Sequence, residues 1–238
     1  MSERTISIRD LHVTFSMEDG TSLPVFRGLD LTLDPDGVTV IVGRSGCGKT
    51  TLLRLLAGLL SPSAGTVSLP EGTKVGMMFQ EARLMPWLTC EKNITLGIKS
   101  PDRGKVSDLL RLVGLEGFGG AYPSQLSGGM QQRTALARTL IRDVDLILMD
   151  EPLAALDAFT RKQMQRELLR IRVERSCGII LVTHDINEAL FLGDRLLLLS
   201  EGQVLYDRTL PPQIGERDLD SPECIAIKRD ILTAMGTV

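Results

Sequence analysis

The stretch Gly43-Arg44-Ser45-Gly46-Cys47-Gly48-Lys49-Thr50 constrains this chain more than any other feature. It satisfies the pattern G-x-x-x-x-G-K-[ST] at every fixed position. Ahead of it, residues 38–42 form a short apolar run rich in β-branched residues, which reads as a strand buried on both faces. Behind it, residues 49–60 carry leucines suited to a helix, with Gly58 and Pro62 marking its end. A strand, a glycine-rich turn and a helix in that order make a cradle for phosphate. The glycines let the backbone curl so that N–H groups point inward, and the helix N-terminus adds a partial positive charge. Lys49 is expected to reach the β- and γ-phosphates of a nucleoside triphosphate, and Thr50 to offer its hydroxyl to Mg²⁺. Thr51 completes the phosphate-binding set.

The rest of the chain alternates strands and helices. Ile6, Ile8, Leu11, Val13 and Phe15 predict a strand with one slip of register, and Phe26, Leu29, Leu31 and Leu33 a second after a turn at 18–21. Short strands follow at 67–69 and 75–79. From residue 84 to about 141 the pattern is mostly helical. There Val106, Leu109, Leu110 and Val113 share one face, and the glycines of 114–120 make a break. Ser127 starts a long helix ending near Arg142. A buried strand is expected at 146–149, an amphipathic helix at 157–175, a strand at 179–182, a helix at 186–191 and a strand at 196–199. Glu201-Gly202 should turn the chain back into a hairpin over 203–206. The last thirty residues read as a loop and a terminal helix. This order argues for an α/β fold with a mainly parallel sheet. The expected division is a catalytic core with a β subdomain at 1–83 and 143–210, an inserted helical subdomain at 84–142, and a tail at 211–238.

Composition removes several classes. The net charge of −3 gives no basic balance that would mark nucleic acid as a partner. Residues 1–10 lead into no apolar segment of a secretion signal. The most apolar runs fall far short of the ~20 residues that a membrane helix needs. The expectation is a soluble chain able to dock on a membrane protein. The four cysteines, Cys47, Cys90, Cys177 and Cys224, include no C-x-x-C pair. They read as structural thiols in a reducing compartment. No motif includes His12.

Two further motifs carry chemistry. Asp150-Glu151 directly follows the apolar strand at 146–149. A carboxylate there can meet a metal held by a neighbouring phosphate loop, which assigns Asp150 to Mg²⁺. Glu151 would then orient or deprotonate an attacking water. Leu126-Ser127-Gly128-Gly129-Met130-Gln131-Gln132-Arg133 opens the long helix. Ser127 is an N-cap candidate, and the two glycines expose N–H groups at the positive helix end. One helix already serves the phosphates at Lys49. A second anion site beside a single nucleotide implies a nucleotide held by another copy of the chain.

In order, Phe15, the phosphate loop, Gln80, Leu126-Ser127-Gly128-Gly129, Asp150-Glu151, Ala155-Leu156-Asp157 and His184 resemble the nucleotide-binding subunit of an ABC (ATP-binding cassette) transporter. The resemblance covers nearly the whole chain. It implies a P-loop NTPase (RecA-like) core with an antiparallel β subdomain and an inserted α-helical subdomain. It implies ATP as substrate with Mg²⁺, and it gives roles. Phe15 stacks on adenine. Gln80 couples metal and water to the membrane partner. Ser127 and Gly129 contact the γ-phosphate of the opposite subunit, and Gly128 belongs to the same nucleotide-binding set. Asp157 crosses the dimer interface. His184 holds the γ-phosphate and the attacking water. The chain departs from the commoner pattern at Met130 (glutamine), Ala154 and Cys47 (serine) and Phe15 (tyrosine). None of these removes a phosphate, metal or water contact, and Cys47 implies sensitivity to thiol reagents.

Arg83-Leu84-Met85-Pro86-Trp87 contains the only tryptophan and resembles importers of the nitrate, sulfonate and taurine group, whose relatives also carry thiamine precursors. Trp87 reads either as an anchor in a protein-docking groove or as a core residue. The resemblance implies a second ATPase subunit (a homodimer), transmembrane permease subunits and a solute-binding protein as partners. The expected place is the cytoplasmic face of the cell membrane. An exporter ATPase, and a non-transport ATPase acting on nucleic acid or the ribosome, stay open as alternatives.

Overall fold

The computed structural model describes residues 4–18, 20–175, 177–212 and 216–236. Asp19, in the turn expected at 18–21, lies outside them, as do residues 1–3, 176, 213–215, 237 and 238. The chain forms two compact units, residues 1–73 with 178–238, and residues 74–177.

The first unit opens with β1 (Ile6–Ser16) and β2 (Ser22–Leu33), paired antiparallel from Ile6 opposite Leu33 to Ser16 opposite Ser22. Ile6, Ile8, Leu11 and Val13 are buried. The step from Ile8 to Leu11 keeps both on the inner face because the pairing shifts between them, where Asp10 takes a left-handed φ of 44°. β3 (Val38–Val42) is buried at all five residues, as its composition predicts. α1 (Lys49–Leu56) is shorter than the expected 49–60 and closes at Ala57, one residue before Gly58. β4 (Ala64–Ser68) pairs antiparallel with β1, giving a three-stranded sheet ordered β2-β1-β4. It begins three residues before the expected 67–69.

In the second unit, β5 (Val75–Met78) is followed by α2 (Cys90–Ile94), α3 (Arg103–Leu112), a 3₁₀ turn at Pro123–Gln125, and α4 (Gly128–Leu140). Val106 and Leu109 are buried on α3, together with Leu112 and Val113, whereas Leu110 is only half-buried. β6 (Leu146–Asp150) runs parallel to β5, with Val75 opposite Leu146 and Met78 opposite Met149. α5 (Ala158–Arg175) buries only Met164, Leu168 and Ile171, an i, i+4, i+7 stripe on an otherwise polar helix.

The chain then returns to the first unit. β7 (Gly178–Thr183), α6 (Ile186–Leu192), β8 (Arg195–Ser200), β9 (Gln203–Thr209) and α7 (Pro222–Ala234) complete it. β3 lies between β7 and β8, parallel to both, and β9 pairs antiparallel with β8. Glu201 (φ 49°) and Gly202 (φ 74°) are both left-handed, the geometry of a tight hairpin turn that matches strand twist. Leu196 to Leu199 have no exposed surface. Each such side chain stabilises the fold by about 1.5–3 kcal/mol.

The compact units divide the chain at 73/74 and 177/178, and within the second β5 pairs with β6 and α5 packs on α4. Among the described residues, no helix is long and apolar enough to cross a membrane.

Candidate functional site

The phosphate loop joins β3 to α1, and its shape follows from close packing. A side chain on Gly43 would put Cβ 2.3 Å from the Leu199 carbonyl oxygen and 2.6 Å from Cys47 Sγ. Only glycine lets β3 end this near β8 while the Cys47 sulfur folds over it. Gly48, the N-cap of α1, sits at φ 107°, where L-residues are strained, and a Cβ there would meet Phe26 and Val25 at 2.9 Å. Lys49 follows at the first helical position. Its side chain is 5% exposed, and Nζ donates to the carbonyls of Gly43 (2.8 Å) and Arg44 (3.1 Å). A buried ammonium is thus held across the mouth of a loop of backbone amides. Arg44, Ser45 and Gly46 are exposed, and Thr50 and Thr51 are half-buried in the first turn of α1. Arg44 Nη2 donates to the carbonyl of Met235, at the C-terminal end of α7, at 3.1 Å.

Burial pushes the Cys47 thiol up, against the opposing pull of the Lys49 ammonium. The thiolate is the reacting species, so a raised value lowers reactivity at neutral pH. This modifies the expected thiol sensitivity. Alkylation of Cys47 by iodoacetamide should be several-fold slower at pH 7 than that of an exposed thiol and should accelerate as pH rises past 9. Mass spectrometry of the peptide spanning residues 43–50 measures the rate.

Phe15 is half-buried on β1, opposite Leu23 of β2. A cavity of about 310 Å³ beside the loop is lined by Leu23, Val25, Arg27, Gly46, Cys47 and Gly202. Leu23 and Val25 are therefore apolar neighbours of the loop that the motif reading did not single out. Leu23 is 52% exposed, and no sequence signal separates it from an ordinary strand residue. His184, just past β7, is exposed. The next residue, Asp185, caps α6 by accepting from the N–H groups of Asn187 and Glu188. His12 pairs with Asp10, Nε2 to Oδ1 at 2.9 Å, as suits a residue outside every motif.

In the second unit, Asp150 is the last residue of β6 and is half-buried, as is Glu151. Glu151 has φ 44°, a conformation that costs a non-glycine residue about 1–3 kcal/mol and that surrounding structure must enforce. Such strain turns the chain sharply off the strand end. Ser127 caps α4, its hydroxyl accepting from Met130 N at 3.3 Å. Ser127 and Gly128 are exposed, so the positive end of α4 faces outward there. Gly129 is buried; a Cβ on it would lie 2.3 Å from Thr160 Cγ2, so its smallness serves the approach of α5. Asp157 accepts from Phe159 N and Thr160 N, both at 3.1 Å, and caps α5. Hydrogen bonds from Thr160 and Phe159 hold its carboxyl below the usual range. Gln80 lies two residues past β5 and is exposed. Trp87 is 70% exposed, which rules out the core reading.

A family model described as ABC transporter matches residues 26–154. The aliphatic sulfonates import ATP-binding protein SsuB 1 of Shouchella clausii is 44% identical over 88% of this chain and 84% of its own length. The chain belongs to the ABC transporter family. The ABC transporter chain is also similar to the taurine import ATP-binding protein TauB of Pelagibacter ubique, 40% identical over 94% of this chain and 92% of that protein. Among solved structures, the dimeric post-hydrolysis state of the ATP-binding cassette MJ0796, bound to ADP and Pi, superposes with a TM-score of 0.76. It is 29% identical and covers 87% of this chain and 100% of that one. The ABC transporter fold therefore has the P-loop NTPase architecture that the resemblance implies.

The residues present suit a triphosphate with a divalent cation. The loop is closed to side chains at Gly43 and Gly48, and Lys49 supplies a buried positive charge. No cluster of three or more His, Cys, Asp or Glu occurs among the described residues. Mg²⁺ is usually held by few protein groups and mostly by substrate phosphates and water, and Thr50 and Asp150 carry the oxygen ligands it prefers.

Proposed function

We propose that this chain is the ATP-binding and ATP-hydrolysing subunit of an importer for a small sulfonated solute. The observation that carries the reading is its similarity, at 40–44% identity over 88–96% of its length, to subunits named for import of aliphatic sulfonates and taurine. The intact phosphate loop and the serine-capped start of α4 support it.

In this reading, backbone N–H groups of residues 43–51 and the Lys49 ammonium hold the phosphates, and Phe15 stacks on adenine. Thr50, Asp150 and Gln80 would hold Mg²⁺, which would supply positive charge to offset that of the phosphates. Glu151 takes the proton of the attacking water, and His184 orients that water on the γ-phosphate. Ser127, Gly128 and Gly129 serve the nucleotide of a second copy, and Asp157 lies at that junction. Two copies thus form two composite sites. The helical segment 84–142 carries the exposed Trp87 to transmembrane permease subunits at the cytoplasmic face of the cell membrane. A solute-binding protein delivers the cargo.

Deleting the gene from its host tests the reading. Growth on taurine or an alkanesulfonate as sole sulfur source should be lost, while growth on sulfate is retained. Restoration by the intact gene but not by a Glu151→Gln copy is expected. Unimpaired growth and uptake on both sulfonates would reject the assignment of cargo.

A further inference from the structure

Within residues 74–177, the segment after β5 is held by its backbone carbonyls. Gln132 Nε2 donates to Gln80 O at 2.6 Å. Arg138 donates through Nη2 to Ala82 O at 2.7 Å and through Nη1 to Arg83 O at 2.9 Å. Further along, the fully buried Asn93 accepts from Met85 N and donates to the carbonyls of Met85, Leu88 and Thr89. Gln132 and Arg138 both belong to α4, the helix capped by Ser127.

Gln132 is only 4% exposed, and its amide oxygen Oε1 is buried with no hydrogen-bond partner among the described residues. A buried acceptor left unmet destabilises a fold. Methionine has nearly the same length and volume and would bury no such acceptor. Gln132 is thus a poor choice for stability alone. What its amide does supply is a fixed point for the Gln80 backbone, from which the Gln80 side chain is aimed.

We infer that Gln132 and Arg138 are positioning residues that fasten the Gln80–Arg83 segment to the helix beginning at Ser127, and so set the direction of the Gln80 side chain for hydrolysis. The inference rests on the ATPase reading above. The clamp also ties the position of Trp87, at the far end of the same segment, to α4.

The test uses the full chain with Mg²⁺ and ATP. Gln132→Met is expected to keep or raise the melting temperature and to lower kcat about tenfold, as the loss of one hydrogen bond made in the transition state would. The KM for ATP should stay within about twofold. Combined with Gln80→Ala, it should slow hydrolysis no further than Gln80→Ala alone. Trp87 is the only tryptophan, so its fluorescence reports the segment directly. Arg138→Met should lower its anisotropy and raise its quenching by acrylamide, and Arg138→Lys should fall between. Unchanged kcat in Gln132→Met, a rise in KM in its place, or additivity with Gln80→Ala would overturn the inference, as would unchanged Trp87 anisotropy in Arg138→Met. Should Arg138→Met not fold, Arg138→Lys decides the anisotropy arm alone. Absence of hydrolysis by the unaltered chain in its assembled transporter would instead overturn the ATPase reading, while Trp87 anisotropy still reports the clamp.

Discussion

Replacing Glu151 with glutamine is expected to slow ATP hydrolysis by about 10²–10⁴-fold while leaving ATP binding nearly unchanged. The expectation follows from where the carboxylate sits. Glu151 comes directly after Asp150 at the end of β6, half-buried, on a backbone bent into a left-handed conformation. Glutamine has the same shape and keeps that conformation, but its amide cannot take a proton from water. The phosphate loop belongs to other residues and keeps its grip. Single-turnover phosphate release and titration with a fluorescent ATP analogue measure the two quantities separately. A variant that hydrolyses at the normal rate would remove Glu151 from the chemistry.

Lys49→Ala should act instead on binding and weaken it severely. The Lys49 ammonium is buried and donates to the carbonyls of Gly43 and Arg44. Truncation removes the positive charge that we propose holds the β- and γ-phosphates, and takes the Lys49 donor away from the Gly43 and Arg44 carbonyls. Removing one partner of a buried, hydrogen-bonded charge pair typically costs 2–5 kcal/mol, so affinity for ATP should fall about 100-fold or more. Lys49→Arg should not rescue it, because the planar guanidinium is larger and cannot take the place of a compact ammonium under a closed loop. Calorimetric titration with ATP checks both variants. Retained micromolar binding by Lys49→Ala would contradict the assignment of the loop.

The parts of this protein that were legible in its sequence are those set by local chemistry. Val38 to Val42 can only be a buried strand because every residue is apolar or β-branched. Gly43, Gly48 and Lys49 announce the loop because backbone curvature and one fixed cation are written in consecutive residues. Ser127 announces the start of α4 because capping is a three-residue event, and Glu201-Gly202 announces a turn for a similar reason. What was not legible depends on residues far apart in sequence. The Gln132 contact spans 52 positions, and those of Arg138 span 56 and 55. Nothing in the order of side chains reports them. Trp87 could be read either as core or as surface. It is exposed because Asn93 holds the loop through its backbone, which leaves the indole with no packing task. The bend at Glu151 was hidden as well, since glutamate gives no hint of a left-handed φ. Asp157 reads in the sequence as the first residue of its helix, whereas the structure makes it the cap, and its place at a dimer junction rests on the family.

The composite site is the central claim, and molecular mass in solution tests it most directly. Glu151→Gln protein, examined by light scattering at saturating Mg²⁺ and ATP, should have twice the 26.0 kDa of one chain and return to 26.0 kDa with ADP. The further substitution Ser127→Arg, which places a bulky cation at the exposed start of α4, should leave ATP bound and the mass at 26.0 kDa. A Glu151→Gln protein that binds ATP at full occupancy and stays at 26.0 kDa would contradict the claim that a second copy completes the site.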